Sequence, residues 1–265
     1  MTAETPRAES PASAARPAAN LKITTLAERP ELTGAFWALG DAWPQFVTED
    51  PIGWILWGRI VSELPEYVLV ATDESGELVA RALSVPFALG AKDRGTLPDG
   101  GWDRVLMWAF SDVRHGTEPD TVSAIEVTVA PGAQGGGLSY AMLDAMRAGA
   151  RALGFGTLVA PVRPSAKHLE PRTPMEEYAH RLRPDGLPHD PWLRVHVRVG
   201  GVIESVARNS MTVSGTLEEW RGWTGLPFDA AGEVEVPRAL VPVHCAPDQG
   251  YAVYVEPNVW VRHTL

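Results

Sequence analysis

The sequence predicts an α/β (α+β) protein built on one mixed sheet, and three observations lead there. A hairpin pattern occupies residues 67–89, with Asp73-Glu74-Ser75-Gly76 as its turn. A strand, a glycine-rich loop, a helix and a second strand follow one another across 122–162. The hairpin is antiparallel, whereas the second unit returns to a parallel neighbour through a right-handed crossover. Length supplies the third. Of 265 residues, about the first 20 are mostly Ala, Pro, Ser and Glu with almost no large apolar side chain. Such a tail buries too little surface to offset its ordering entropy, so 1–20 is expected to be disordered and 21–265 to form one domain.

The elements follow in order. Leu21–Leu26 reads as a first strand, and Arg29–Trp43 and Pro51–Leu64 as helices. In the second helix Ile52, Ile55, Leu56, Arg59 and Ile60 are spaced for one buried face. Tyr67–Thr72 and Glu77–Leu89 form the hairpin, and Lys92–Asp103 is a Gly-, Asp- and Pro-rich loop. Val105–Phe110 is apolar and of no assigned type. Val122–Val129 is a strand whose alternation places Val122, Ala124, Glu126 and Thr128 on one face. The helix Leu138–Leu153 carries a stripe of Leu138, Met142, Ala145, Met146, Gly149 and Leu153, and Gly154 and Gly156 end it. Thr157–Val162 is the returning strand.

A proline-rich connection, 164–191, is longer than loops usually are, which points to a functional covering segment. Trp192–Val199 comes next, then a strand-like run Val202–Val213 and a helical turn near Leu217–Trp220. Tyr251–Glu256 and Val259–His263 read as two further strands. The aromatic-rich stretch after about 215 can complete the sheet, widen a pocket or meet a second copy in a homodimer. Ten tryptophans are many for this length, and aromatic side chains mostly fill cores.

Composition removes several functions. A net charge of −10 is the wrong sign for non-specific nucleic-acid binding. No apolar run approaches the roughly 18 residues of a membrane span and no signal-peptide pattern is present, so a cytoplasmic location away from membranes is expected. Cys245 is the single cysteine, which rules out an internal disulfide and a cysteine zinc cluster. His244 adjoins it without metal-ligand spacing, so no metal site is expected.

The chemistry concentrates in Val129-Ala130-Pro131-Gly132-Ala133-Gln134-Gly135-Gly136-Gly137-Leu138-Ser139. Glycine admits positive φ and close approach of a bulky anion. The helix start adds unpaired N–H groups and the positive end of its dipole. Together they make a phosphate site that needs no cationic side chain, which suits an acidic chain. A dinucleotide fingerprint would need G-x-G-x-x-G and an acid after the next strand, and a P-loop would need Gly-Lys-Ser/Thr; both are absent.

This segment resembles motif A of the GCN5-related N-acetyltransferases, whose pattern is Gln/Arg-x-x-Gly-x-Gly/Ala after a strand ending in Val-x-Pro. Val129-Ala130-Pro131 and Gln134 to Ser139 match it, with Ser139 in the small-residue slot. The likeness follows element order over roughly 21–215 and is sharp over 122–201. It implies a central, mostly antiparallel twisted sheet with helices on both faces. It also implies acetyl-CoA or another acyl-CoA as donor, with Gln134, Gly135, Gly136, Gly137, Leu138 and Ser139 around the pyrophosphate. The backbones of Val127 and Val129 would pair with pantetheine where the two strands splay. Ser165 stands nearest the family's pantetheine-contacting Asn, and Arg163 and Lys167 could meet phosphates.

For catalysis the resemblance offers Glu126 as base toward a small-molecule amine. An ordinary Glu titrates near 4.3, low for the task, and a salt bridge to a neighbouring strand is the alternative role. The family's Tyr-x-x-x-Gly-Phe reads here His196-Val197-Arg198-Val199-Gly200-Gly201, so His196 takes the place of the tyrosine acid. The insert Pro171–Asp190 would cover the acceptor, with Glu176 or Glu177 as amine contacts. Three other readings stay open: a donor carried on the phosphopantetheine arm of an acyl carrier protein, a non-catalytic acyl-CoA-binding module, and an unrelated nucleotide-binding domain.

Overall fold

The computed structural model describes residues 21–40 and 43–265. The expected tail, 1–20, lies outside the described residues. The chain runs β1 (Lys22–Thr25), α1 (Thr33–Ala38), α2 (Gln45–Thr48), α3 (Pro51–Glu63), β2 (Val68–Thr72), β3 (Leu78–Phe87), α4 (Gly101–His115), β4 (Thr121–Val129) and α5 (Leu138–Ala152). It continues β5 (Thr157–Val162), α6 (Met175–Ala179), α7 (Pro191–Arg198), β6 (Val202–Thr216), α8 (Leu217–Thr224), β7 (Gly232–Val234), β8 (Val243–Ala246) and β9 (Tyr251–Thr264).

The strands form one sheet ordered β1-β2-β3-β4-β5-β9-β8-β7, with β6 also on β9. Only β4 and β5 are parallel, as the α5 crossover requires; the other pairs are antiparallel. The two strands expected at the C-terminus are one. β9 passes straight through Pro257 and Asn258, pairs β6 along one edge, and on the other pairs β8 with its first residues and β5 with its last. Residues 251–264 therefore supply a central strand and complete the sheet, while β7 and β8 are an added hairpin.

Helices cover both faces. Phe36, Ile60, Trp102, Leu106 and Trp220 pack on one side and Leu138, Met142, Met146, Met175 and Leu193 on the other. Leu138, Met142 and Met146 of the expected α5 stripe are buried, joined by Leu143 and Ala150, whereas Leu153 beyond the helix end is exposed. Gly137 caps its start in the left-handed region (φ 81°) and Gly154 (φ 92°) turns the chain away at its end. At α3, Asp50 is the N-cap, its carboxylate accepting the Gly53 N–H, and Pro51 fills the first helical position.

Several local expectations are corrected. Arg29–Trp43 does not hold one helix: a 3₁₀ turn at Pro30–Leu32 leads into the short α1, which Leu39 ends in extended conformation. On α3, Leu56 and Ile60 are buried, but Ile55 faces outward and Arg59 pairs with Glu63 while covering Phe110. The expected loop 92–103 gives way at Gly101 to α4, which takes in Val105–Phe110. Trp192–Val199 is helical, capped by Asp190 through the N–H groups of Trp192 and Leu193. The long connection 164–191 contains α6 and a Leu182–Pro188 bridge.

The alternation along β4 is broken. Leu83 of β3 lies opposite Glu126 but Ser84 lies opposite Ala124, so Ile125 is an extra, bulged residue. The bulge reverses the faces. Val122 and Ala124 pack with α5, and so do Val127 and Val129, whereas Ile125 belongs to the opposite layer. Glu126 and Thr128 turn with Ile125, away from Val122 and Ala124, toward Arg81, Trp43 and Phe36.

Candidate active site

The parallel pairing of β4 with β5 consists of Val122 with Leu158 and Ser123 with Val159, and then stops. Beyond Ser123 the two strands splay, and the β5-facing edge of β4 has no strand partner. A cavity of about 800 Å³ occupies this opening. Ser139, Leu143 and His196 line it from the α5 and α7 side, and Trp43, Trp57 and Glu256 from the other. The cavity therefore passes through the sheet, joining the glycine loop on one face to the Glu126 side on the other.

At the loop, Gly135 (φ 82°) and Gly137 (φ 81°) are left-handed, and a Cβ built on either meets nothing within 4 Å. The N–H groups of Gly135 to Ser139 make no hydrogen bond among the described residues. Open space, free donors and the start of a 15-residue helix coincide, which fits a pyrophosphate. Val127 and Ser165 line the cavity. The Val129 carbonyl is occupied by the Gln134 side-chain amide at 3.3 Å.

Glu126 is buried beside the cavity and multiply held. Arg81 Nε reaches Oε2 and Arg81 Nη2 reaches Oε1, both at 3.3 Å; Trp43 Nε1 donates to Oε1 at 3.2 Å and the Thr128 hydroxyl donates to it as well. The salt bridge to the neighbouring strand is real, and the same carboxylate lines the cavity.

His196 also lines the cavity, from α7, with its Nδ1 3.0 Å from His263 Nε2 on β9. Burial, aided by His263, pushes its imidazolium down to about 3, so the ring is neutral near pH 7. Any acid role at this position would therefore fall to the N–H of a neutral ring. The glycine in the family's Phe slot is explained by the same pair. A Cβ on Gly201 would sit 2.7 Å from the His196 carbonyl oxygen and 2.7 Å from His263 Cε1.

Two cations expected at phosphates are spent inside the protein. Lys167 is fully buried, its ammonium donating to the carbonyls of Glu170, Pro171 and Leu240. Burial lowers it to about 8. Arg163 binds Glu256 at 2.9 Å and the Arg238 carbonyl at 2.7 Å. Glu176 and Glu177 pair with Arg208 and Arg181, away from the cavity lining. Cys245 is buried in the core.

The structure adds residues that sequence reasoning passed over. Six of the ten tryptophans (Trp37, Trp43, Trp54, Trp57, Trp102 and Trp192) line the cavity, against the expectation that they fill cores. Asp50 lines it too, 2% exposed, with Oδ1 unpartnered. Asp103, on α4 beside Trp102, is 8% exposed and its Oδ1 is likewise unpartnered. Burial raises Asp50 to about 6, and burial together with the nearby Asp50 raises Asp103 to about 8. The N-cap pattern Asp50-Pro51 before an apolar helix was the one sequence signal available for Asp50.

No family model matches the sequence. The chain is 34% identical to the arginine N-acetyltransferase avaD of Aspergillus versicolor, over 92% of this chain and 93% of that one. Among solved structures, the loading GNATL domain of CurA from Lyngbya majuscula superposes with a TM-score of 0.57 at 17% identity, covering 92% of this chain and 96% of that one. The GphF GNAT-like decarboxylase in complex with isobutyryl-CoA gives 0.53 at 18% identity, covering 92% and 98%. Both share the open mixed sheet. With the relative at 34% identity over nearly all of both chains, the protein belongs to the GCN5-related N-acetyltransferase superfamily and is an acyltransferase that moves an acyl group from a CoA thioester to a small-molecule amine.

Proposed function

We propose that the acyl group is acetyl and that the acceptor is arginine, taken through its α-amine, with Glu126 as the base. The observation that carries this reading is the gap between β4 and β5, which has the glycine loop on one side and the Glu126 carboxylate on the other. The avaD relative acts on arginine by its name, and the match spans 92% of this chain and 93% of that one.

Acetyl-CoA supplies a thioester carbonyl: the amine forms a C–N bond to it, the C–S bond breaks with its electron pair going to sulfur, and the amine proton ends on the thiol. The chain's residues align and relay. The loop N–H groups of Gly135 to Ser139 hold the pyrophosphate, and the free edge of β4 at Val127 aligns pantetheine as an added strand would. Arg198 takes over the cationic contact expected of Lys167; it is exposed and reaches the Tyr140 hydroxyl in the first turn of α5. Glu126 accepts the proton of the attacking amine, its orientation fixed by Arg81 and Trp43. His196, neutral and tied to His263, shapes the pantetheine end of the cavity. Holding both reactants in one channel supplies much of the rate.

The test is direct. Purified protein with acetyl-CoA and L-arginine should release thiol and yield arginine carrying one acetyl group on its α-nitrogen, located by NMR. Thiol release without an acetylated amine, or acetylation confined to the guanidinium, defeats the reading.

A further inference from the structure

Two buried carboxyls stand at the starts of α3 and α4, Asp50 in the cavity lining and Asp103 behind it, next to Trp102 in sequence. Asp50 uses Oδ2 to accept the Gly53 N–H at 2.6 Å and leaves Oδ1 without a partner. Asp103 uses Oδ2 to accept the Thr212 N–H at 3.1 Å and also leaves Oδ1 without a partner. Both are more than nine-tenths buried, and Asp50 faces the cavity. Neither has an ion pair among the described residues, and the guanidinium of Arg163 is spent on Glu256. Buried acceptors left open in this way cost free energy that a ligand could recover.

The indoles beside them are ordered. Trp57 and Trp102 stack with ring centroids 5.8 Å apart and planes at 29°. Gly53 allows the contact between carboxyl and indole: a Cβ there would lie 3.1 Å from Trp102 Cη2 and 3.2 Å from Asp50 Oδ2. At its other end Trp102 donates Nε1–H to the Ile125 carbonyl at 3.1 Å, one residue before Glu126. One indole thus runs from Asp50 to the strand position beside the candidate base. Among the described residues no three His, Cys, Asp or Glu are grouped to hold a metal ion. A flat organic cation asks for less, namely an open carboxyl oxygen and an aromatic face.

We infer that Asp50, Trp57 and Trp102 form a guanidinium-binding subsite, its negative field reinforced by Asp103 behind it, that selects a cationic acceptor and lays its far end beside Glu126. This rests on the arginine reading above and deepens it. Burial raises both carboxyls, with Glu256 adding to the shift of Asp50 and Asp50 to that of Asp103, and a guanidinium bound at Asp50 would relieve that unpaired charge. Citrulline offers the same α-amine and nearly the same shape with a neutral urea, so it isolates the charge.

The experiment compares kcat/KM for L-arginine and L-citrulline, with acetyl-CoA saturating, in the wild type, Asp50→Asn and Asp103→Asn. Asn caps a helix as well as Asp, so Asp50→Asn keeps the α3 start, and Asp103→Asn is an independent second variant. The wild type should prefer arginine, and Asp50→Asn should shrink that preference by at least about 30-fold through arginine's KM. Equal use of both acceptors by the wild type overturns the subsite. So does a preference that survives in both variants while the two acceptors slow alike, since that marks Asp50 as part of the chemistry or scaffold. If neither acceptor is acetylated, the acetyl-transfer reading has failed and calorimetry decides the subsite separately. Arginine binding tighter than citrulline, with the difference lost in Asp50→Asn, supports it; equal binding overturns it.

Discussion

His196 Nδ1 lies 3.0 Å from His263 Nε2, and both rings are buried. One proton serves that contact, so one ring donates and the other accepts. Burial and His263 push His196 to about 3; burial and Arg147 push His263 to about 4. Loss of a true general acid costs about 100-fold or more in turnover. His196→Phe should therefore lower kcat by less than about 10-fold, because the N–H of a neutral ring is a far weaker acid than an imidazolium. Stability carries the sharper signature. Unfolded histidines bind a proton near 6.5, so between that value and the folded ones the unfolded chain holds more protons than the native one. The pair's contribution is complete above about 6.5 and is lost as pH falls toward 4 and then 3. Thermal unfolding at pH 5 and pH 8 should show a smaller Tm gap in His196→Phe than in the wild type; an equal gap would contradict the neutral pair.

Glu126→Gln separates the two roles of that carboxylate. The amide keeps the shape but cannot take the amine's proton, so kcat should fall by about 100-fold or more. It also takes one carboxylate partner from the buried Arg81 guanidinium, so the unfolding free energy should fall. The residual rate should climb with pH, since solvent must then deprotonate the amine. A variant that loses stability but turns over within about 3-fold of the wild type would make Glu126 purely structural.

Gly137→Ala tests the loop. No neighbour obstructs a Cβ at Gly137, so the cost to the fold is the left-handed backbone alone, about 1–2 kcal/mol. The methyl group would occupy the open space through which a pyrophosphate approaches. KM for acetyl-CoA should rise about 10-fold or more while KM for arginine moves little. Equal rises for both substrates would point to a general loss of order.

What the sequence showed well was local and periodic. The stripe of Leu138, Met142 and Met146, the three glycines before it and the strand that precedes them need only neighbours in the chain, and all stand where the pattern puts them. The likeness to the family rested on that same stretch. The bulge at Ile125 was invisible because alternation cannot reveal one extra residue, yet it sends Glu126 to the face where Arg81 and Trp43 wait. Lys167 and Arg163 looked like loop cations because their carbonyl and Glu256 partners lie far along the chain. Asp50 and Asp103 were passed over for the same reason. Each lies on an ordinary helix start, and only packing brings Asp50 to the cavity wall with Trp57 and Trp102 and sets Asp103 behind it.

Asp103→Asn should stabilise the protein in alkaline solution more than in acid. Burial, with Asp50 and Glu256 nearby, raises the Asp103 carboxyl from an ordinary 3.8 to about 8. Between those values the native state keeps a proton that the unfolded chain releases. Its stabilising effect is thus full below about 4 and disappears as pH rises through about 8. The slope cannot exceed about 1.4 kcal/mol per pH unit for one group. Asn cannot ionise, and its amide oxygen can still accept the Thr212 N–H. Denaturant unfolding of the wild type and variant at pH 5 and pH 8.5 should show the variant's advantage growing with pH. L-arginine should flatten the wild-type slope, because a guanidinium bound at Asp50 offsets the negative charge that helps keep Asp103 protonated. A variant whose advantage is the same at both pH values would place Asp103 in its ionised form throughout, a buried charge that the native fold then tolerates without a ligand.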